Sequence, residues 1–235
     1  MPEVAPVLSV DAPSGAARAV AVILHGGRST SRARVRANQL AVLRMAPFAA
    51  ALRRAAGDRG LVVARVRYRY RGWNGSDASP VEDVLWALRQ LDERFGGLPT
   101  ALIGHSMGGR AAMYSAAHPS VTSVVGLAPW IEPGDSVAPL ADRALLVAHG
   151  AGDRMTSNIN SARFTREAVA VARSASYVAV KGDKHAMLHR ASLWHELSTG
   201  FVTASLLGLS PEESVPAPVA KIVQRALAGD ARLEV

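Results

Sequence analysis

Short blocks of apolar, largely β-branched residues recur along the chain, with amphipathic stretches between them. Ala17–His25, Leu61–Arg67, Ala101–Gly104, Val121–Ala128, Ala144–His149 and Ala175–Val180 read as buried strands. Gln39–Ala56, Val81–Phe95, Met107–Ala117, Ser161–Ala172 and Ser192–Leu207 carry helical patterning. Strands alternating with helices predict parallel βαβ units, hence an α/β fold of three layers with a mostly parallel sheet covered on both faces. One helix start is well marked: Ser79 as cap, Pro80 at the first helical position, Glu82 closing a capping box. Val84, Leu85, Leu88 and Leu91 then recur at helical spacing and are expected to face the sheet. In the second strand Arg65, Arg67, Arg69 and Arg71 alternate with Val66, Tyr68 and Tyr70, which places its later part near an edge or in solvent.

Length adds that one domain suffices for 235 residues. Its core is expected over about residues 17–207. Pro211–Pro218 is linker-like, Lys221–Ala228 is a short terminal helix, and 208–235 reads as a C-terminal extension. The chain has no cysteine, which excludes disulfides, thiolate metal sites and cysteine nucleophiles. MPEVAPVLSVDAPSG has neither a basic start nor a long apolar run, so no secretory signal is expected. The apolar runs AVAVIL and ALLVA are too short to span a bilayer, and a cytoplasmic protein without a membrane partner is the expectation. The net charge of +8 raises the question of nucleic acid. Only Lys181, Lys184 and Lys221 are lysines, and the arginines are scattered with no aromatic-interleaved run, so no nucleic-acid partner is expected.

Against this background one stretch stands out. TALIGHSMGGRAAMYSAA, from Thr100 to Ala117, passes from a strand through Gly104-His105-Ser106-Met107-Gly108 into a helix. A serine hydroxyl becomes nucleophilic only beside a base, and it needs exposure and donors for an oxyanion. A sharp strand-to-helix turn supplies both, and small flanking residues keep it free of collisions. Two later strands end in suitable partners: Asp153 follows Ala144–His149, and His185 leaves Ala175–Val180 in KGDKH. Ser106, Asp153 and His185 thus share the carboxyl edge of one parallel sheet, where ligands bind. Asp183 is the rival acid, although two residues along one short loop seldom reach back to an imidazole, and His189 is the rival base. His105 reads as a packing residue of the turn. His185, His189 and His195 suggest a zinc cluster, but WHELST lacks the second histidine of that pattern, so no metal is expected, and nothing implies a cofactor.

HGG at His25–Gly27, GHSMGG at Gly104–Gly109, HGAGD at His149–Asp153 and GDKH at Gly182–His185 together resemble an α/β-hydrolase, near the dienelactone-hydrolase-like and small cap-less esterase branches. The resemblance runs from about Ala17 to Leu207. It implies Ser106 as nucleophile, His185 as general base and then acid, and Asp153 as the group orienting the imidazole. It implies an oxyanion hole made by the N–H of Met107 and that of Gly27, with Arg28 as the rival second donor. Only Pro129–Arg143 separates the two strands between which many such enzymes carry a helical cap, so no cap is expected and the site should be open. The Arg28–Arg36 loop either folds over it or stays solvated, and Arg28 is a candidate for binding an anionic substrate. In similar cap-less esterases, polyester hydrolases of the cutinase-like branch included, a tryptophan at the position of Trp130 lines the acyl pocket. Met187 is a candidate second wall. The implied activity is that of a serine carboxylesterase on small or medium esters. Acyl transfer, polyester hydrolysis and a binding role without turnover are the alternatives.

Overall fold

All six apolar blocks form strands in a computed structural model that describes residues 4–235. In chain order the strands are β1 (Val7–Asp11), β2 (Ala19–Leu24), β3 (Leu61–Arg67), β4 (Thr100–His105), β5 (Val121–Leu127), β6 (Ala144–Gly150), β7 (Ser174–Val180) and β8 (Arg232–Glu234). The α-helices are α1 (Leu40–Leu43), α2 (Ala46–Ala56), α3 (Ser79–Phe95), α4 (Met107–Tyr114), α5 (Asn158–Ala168), α6 (Ala191–Leu207) and α7 (Ala217–Leu227). One sheet runs β1-β3-β2-β4-β5-β6-β7-β8, parallel except for β1. Strands buried on both faces explain the near-continuous apolar runs. Along β4, Ala101 and Ile103 join the core beneath α2, α6 and α7, while Leu102 joins the core beneath α3, α4 and α5.

The chain runs from β2 to β3 on one side, then crosses back to β4 on the other. The switch point between β2 and β4 is where an open parallel sheet leaves a crevice at its carboxyl edge. Between β5 and β6 the chain forms no α-helix, only a 3₁₀ turn at Ala138–Leu140, so that crevice carries no helical cap. Among the described residues no helix is long and apolar enough to cross a membrane.

Several local expectations give way to tertiary structure. The Gln39–Ala56 pattern splits into α1 and α2, because Pro47 has no N–H for a continuous helix and sits in the first turn of α2 instead. Pro80 does occupy the first turn of α3, but the capping box does not form. The Ser79 hydroxyl accepts from Asn74 Nδ2 at 3.2 Å, and Glu82 reaches out to Arg69. Val84, Leu88 and Leu91 are buried against the sheet, with Leu85 partly so. The arginine-rich strand does lie next to the edge, covered only by β1 with Asp11 meeting Arg65 at 3.7 Å, and its later part leaves the sheet after Arg67, as expected.

The 208–235 segment is no appendage. α7 packs on α6 and β7, and β8 pairs with β7, burying Leu233. Ser176 Oγ ties β7 to this segment through Ala226 O at 3.0 Å and Asp230 O at 2.6 Å. The core therefore extends beyond 17–207 at both ends.

Candidate active site

The turn after β4 puts Ser106 at φ +55°, ψ −118°, a conformation most residues avoid. Close approach of β4, β2 and α4 imposes it. A Cβ on Gly104 would lie 2.2 Å from Gly108 O, and one on Gly108 would lie 2.6 Å from both Leu24 O and His25 O. The flanking residues are glycine because backbone occupies the space of a side chain.

The three residues expected from sequence meet. His185 Nε2 lies 3.1 Å from Ser106 Oγ, and His185 Nδ1 lies 2.8 Å from Asp153 Oδ2. Asp153 Oδ1 also accepts the N–H of Met155 at 2.7 Å and of Thr156 at 3.2 Å. His149 Nε2 approaches Asp153 Oδ2 at 3.1 Å, and its Nδ1 lies 3.0 Å from Ser161 Oγ. Burial opposes the charge on Asp153. The donors from His149, His185 and the two amides outweigh it and hold the carboxyl well below the usual carboxylate range. An ionised carboxylate only accepts, so His185 Nδ1 carries the proton and Nε2 is left bare toward Ser106.

The rivals go elsewhere. Asp183 accepts from Lys184 N at 2.7 Å, Arg190 N at 3.0 Å and Trp194 Nε1 at 2.8 Å, tying the His185 loop to α6. His189 stands exposed beside Asp183, and His195 packs edge-on against Phe48. His105 Nε2 donates to His185 O at 3.0 Å, so the residue before the serine braces the loop that carries the imidazole. Burial and the neighbouring His185 lower its pKa to about 3, and burial lowers that of His25 to about 4. Neither ring is a base for chemistry near neutrality.

An open cleft of about 670 Å³ lies over Ser106 and His185. Gly27, Arg28, Ser29, Thr30, Met107, Trp130, Met155 and Thr156 complete its walls. The N–H of Arg28 donates to Arg71 O at 2.8 Å, which removes it as the rival oxyanion donor, while its exposed side chain lines the cleft. From Ser31 onward the arginine-rich loop leaves the cleft and pairs along residues 69–74. Met187 is not a wall of the cleft. It is buried in the core with Trp194 and Phe201, because at φ +58° the backbone turns it inward after His185. Sequence reasoning missed Met155 and Thr156. The Thr156 hydroxyl lies 3.0 Å from Asp153 Oδ2 and 3.1 Å from His185 Nδ1, and the only sequence signal was its place three residues after Asp153.

Known proteins agree with this architecture. An α/β serine hydrolase homologue from Coxiella burnetii superposes with a TM-score of 0.61 at 18% identity, over 83% of this chain and 90% of that one. A serine hydrolase without a lid from Xanthomonas campestris gives 0.61 at 15% identity, over 82% and 86%. Est1E from Butyrivibrio proteoclasticus, in a structure with ferulic acid bound, gives 0.62 at 14% identity, over 86% and 96%. No curated protein matches the chain. The model of the alpha/beta hydrolase family matches residues 21–235, nearly the whole sheet and its helices, and the chain belongs to that family.

Proposed function

We propose that this protein is a cap-less serine hydrolase of carboxylic esters, acting through an acyl-enzyme on Ser106. The observation that carries the reading is the continuous hydrogen-bond chain Ser106 Oγ, His185 Nε2, His185 Nδ1, Asp153 Oδ2, with links of 3.1 and 2.8 Å. In the first step Ser106 Oγ bonds to the ester carbonyl carbon while His185 Nε2 takes the hydroxyl proton. Asp153 stabilises the resulting imidazolium and keeps its orientation. The carbonyl oxygen, now negative, meets the N–H of Met107, the first residue of α4, and the N–H of Gly27 in the loop after β2. Collapse expels the alcohol, which His185 protonates. Water, deprotonated by the same nitrogen, then attacks the acyl carbon, and as its bond to Ser106 Oγ breaks His185 returns the proton to that oxygen and the acid is released. The open cleft supports hydrolysis, since none of the described residues closes over Ser106 and His185.

Purified Ser106→Ala is the test. Turnover of p-nitrophenyl acetate should fall by roughly 10⁴-fold or more, as for loss of a nucleophile that acts in concert with its base. Unaltered turnover in the folded variant overturns the reading.

A further inference from the structure

One turn along α4 from Ser106, Arg110 points its guanidinium into a corner made by three aromatic rings. Its central carbon lies 4.5 Å from the ring centroid of Trp73, 4.7 Å from that of Trp130 and 5.5 Å from that of Tyr114. The two indoles stand nearly perpendicular, at 81° and 6.1 Å, and Tyr114 meets Trp73 edge-on at 5.2 Å. Asp135 closes the corner: its Oδ1 accepts Arg110 Nη2 and the Tyr114 hydroxyl, both at 2.6 Å, and its Oδ2 accepts Glu132 N at 2.9 Å. Trp130 Nε1 donates to Glu132. Only 12% of the Arg110 side chain and 4% of the Asp135 side chain reach solvent.

Aromatic corners of this kind receive cationic ligands. Here the chain's own guanidinium fills it, so no ammonium-bearing substrate is read there. What the corner does is immobilise Trp130, a residue that lines the cleft. Trp130 is also in register with the reacting atom. Its N–H donates to Ser106 O at 3.0 Å, and the same carbonyl accepts Arg110 N at 3.2 Å. A flat side chain held by a cation and a hydrogen bond, on a backbone tied to Ser106 O, is a preorganised stacking surface.

We propose that Arg110 is a positioning residue that fixes Trp130 as a rigid wall, and that the cleft thereby selects esters carrying a planar aryl group over those with a puckered alicyclic group of the same size. This rests on the ester-hydrolase reading above. The test compares kcat/KM for two matched pairs, ethyl benzoate with ethyl cyclohexanecarboxylate and phenyl acetate with cyclohexyl acetate. The planar-to-puckered ratio is measured in wild type, Arg110→Met, Arg110→Lys, Trp130→Leu and the Arg110→Met/Trp130→Leu double variant. In at least one pair the ratio should fall roughly 2- to 12-fold in Arg110→Met, the range spanned by an aromatic pairing of about 0.5–1.5 kcal/mol, and the loss should appear in KM. Arg110→Lys should recover part of it. In the Trp130→Leu background, Arg110→Met should cause no further loss.

An unchanged ratio in both pairs for folded Arg110→Met, or a further loss on top of Trp130→Leu, overturns the proposal. If Arg110→Met does not fold, Asp135→Asn, which loosens the guanidinium and keeps its volume, is read the same way. Quenching of tryptophan fluorescence by benzoate against cyclohexanecarboxylate, measured in Ser106→Ala with and without Asp135→Asn, gives the same comparison without turnover. Preferential quenching by benzoate that Asp135→Asn abolishes supports the wall even if the hydrolase reading fails. Equal quenching by both acids overturns it.

Discussion

Two carboxylates lie within reach of the His185 loop, and their surroundings give them different work. Asp153 collects His149, His185 and two amides on one ionised group, whereas Asp183 collects the amides and the indole that hold the loop in place. Asp153→Asn should keep the fold but let the imidazole take the wrong tautomer. A loss in kcat of about 10⁴-fold on p-nitrophenyl acetate is expected, and a change below tenfold would contradict the role assigned to it. His149→Ala removes a buried donor from the same carboxylate, and a cost of about 1.5–3 kcal/mol in urea unfolding is expected. The pairing of Asp153 with His185 was legible in sequence, because each follows a strand and order along a parallel sheet becomes proximity at its edge. His149 was visible in HGAGD without a role, since its partner Ser161 lies across the β6–α5 connection. Arg110 carried no signal at all, because Trp73 and Asp135 come from separate loops.

Among elements, the turn between β4 and α4 is where packing and chemistry coincide. Gly108→Ala would drive a methyl group into the carbonyls of Leu24 and His25, which are backbone and have no room to retreat. A helix displaced by that contact loses both core packing and the aim of the Met107 N–H. The expected result is a stability loss of about 1–3 kcal/mol with p-nitrophenyl acetate turnover, tested as for Ser106→Ala, reduced far more than Tm indicates. Asp183→Ala tests the other brace, leaving the buried Trp194 Nε1 without an acceptor at a cost of about 1–3 kcal/mol. Element type was readable wherever an apolar period ran long, as in α3 and α6. Boundaries were not, since Pro47 divides α1 from α2 and the Ser79 hydroxyl is engaged by Asn74 of the preceding loop, leaving α3 without a side-chain cap.

For the molecule as a whole, two buried histidines make stability depend on pH. His25 titrates near 4 and His105 near 3 in the folded state, against an ordinary value of 6.5. As pH falls below 6.5 the unfolded chain takes up two protons that the folded chain refuses until about pH 4 and 3. The stability present above 6.5 is therefore lost across that window. Tm measured from pH 8 to 4 should be nearly level above 6.5 and decline steadily below it. His25→Asn should flatten the decline, and a profile level down to pH 4 would refute the assignment. Deleting residues 228–235 tests closure of the sheet. It uncovers the edge of β7, so a lowered Tm and concentration-dependent aggregation in light scattering are expected.

Periodicity and order along the chain were enough to determine the α/β class and the parallel sheet and to single out Ser106, Asp153 and His185 as candidates. These follow from local pattern and from the rule that parallel strands end on one edge. The lack of a cap was expected from the short Pro129–Arg143 spacing set against the family the chain resembles. The short β1 and β8 escaped notice because their pairing partners are distant in the chain and their own patterns span too few residues to rise above loop. Tertiary structure alone decided that Arg28 commits its N–H to Arg71, that Met187 turns into the core, and that Arg110 backs Trp130. Each of those depends on where a loop folds back in space, and that is fixed by steric fit and hydrogen-bond pairing between segments far apart in sequence.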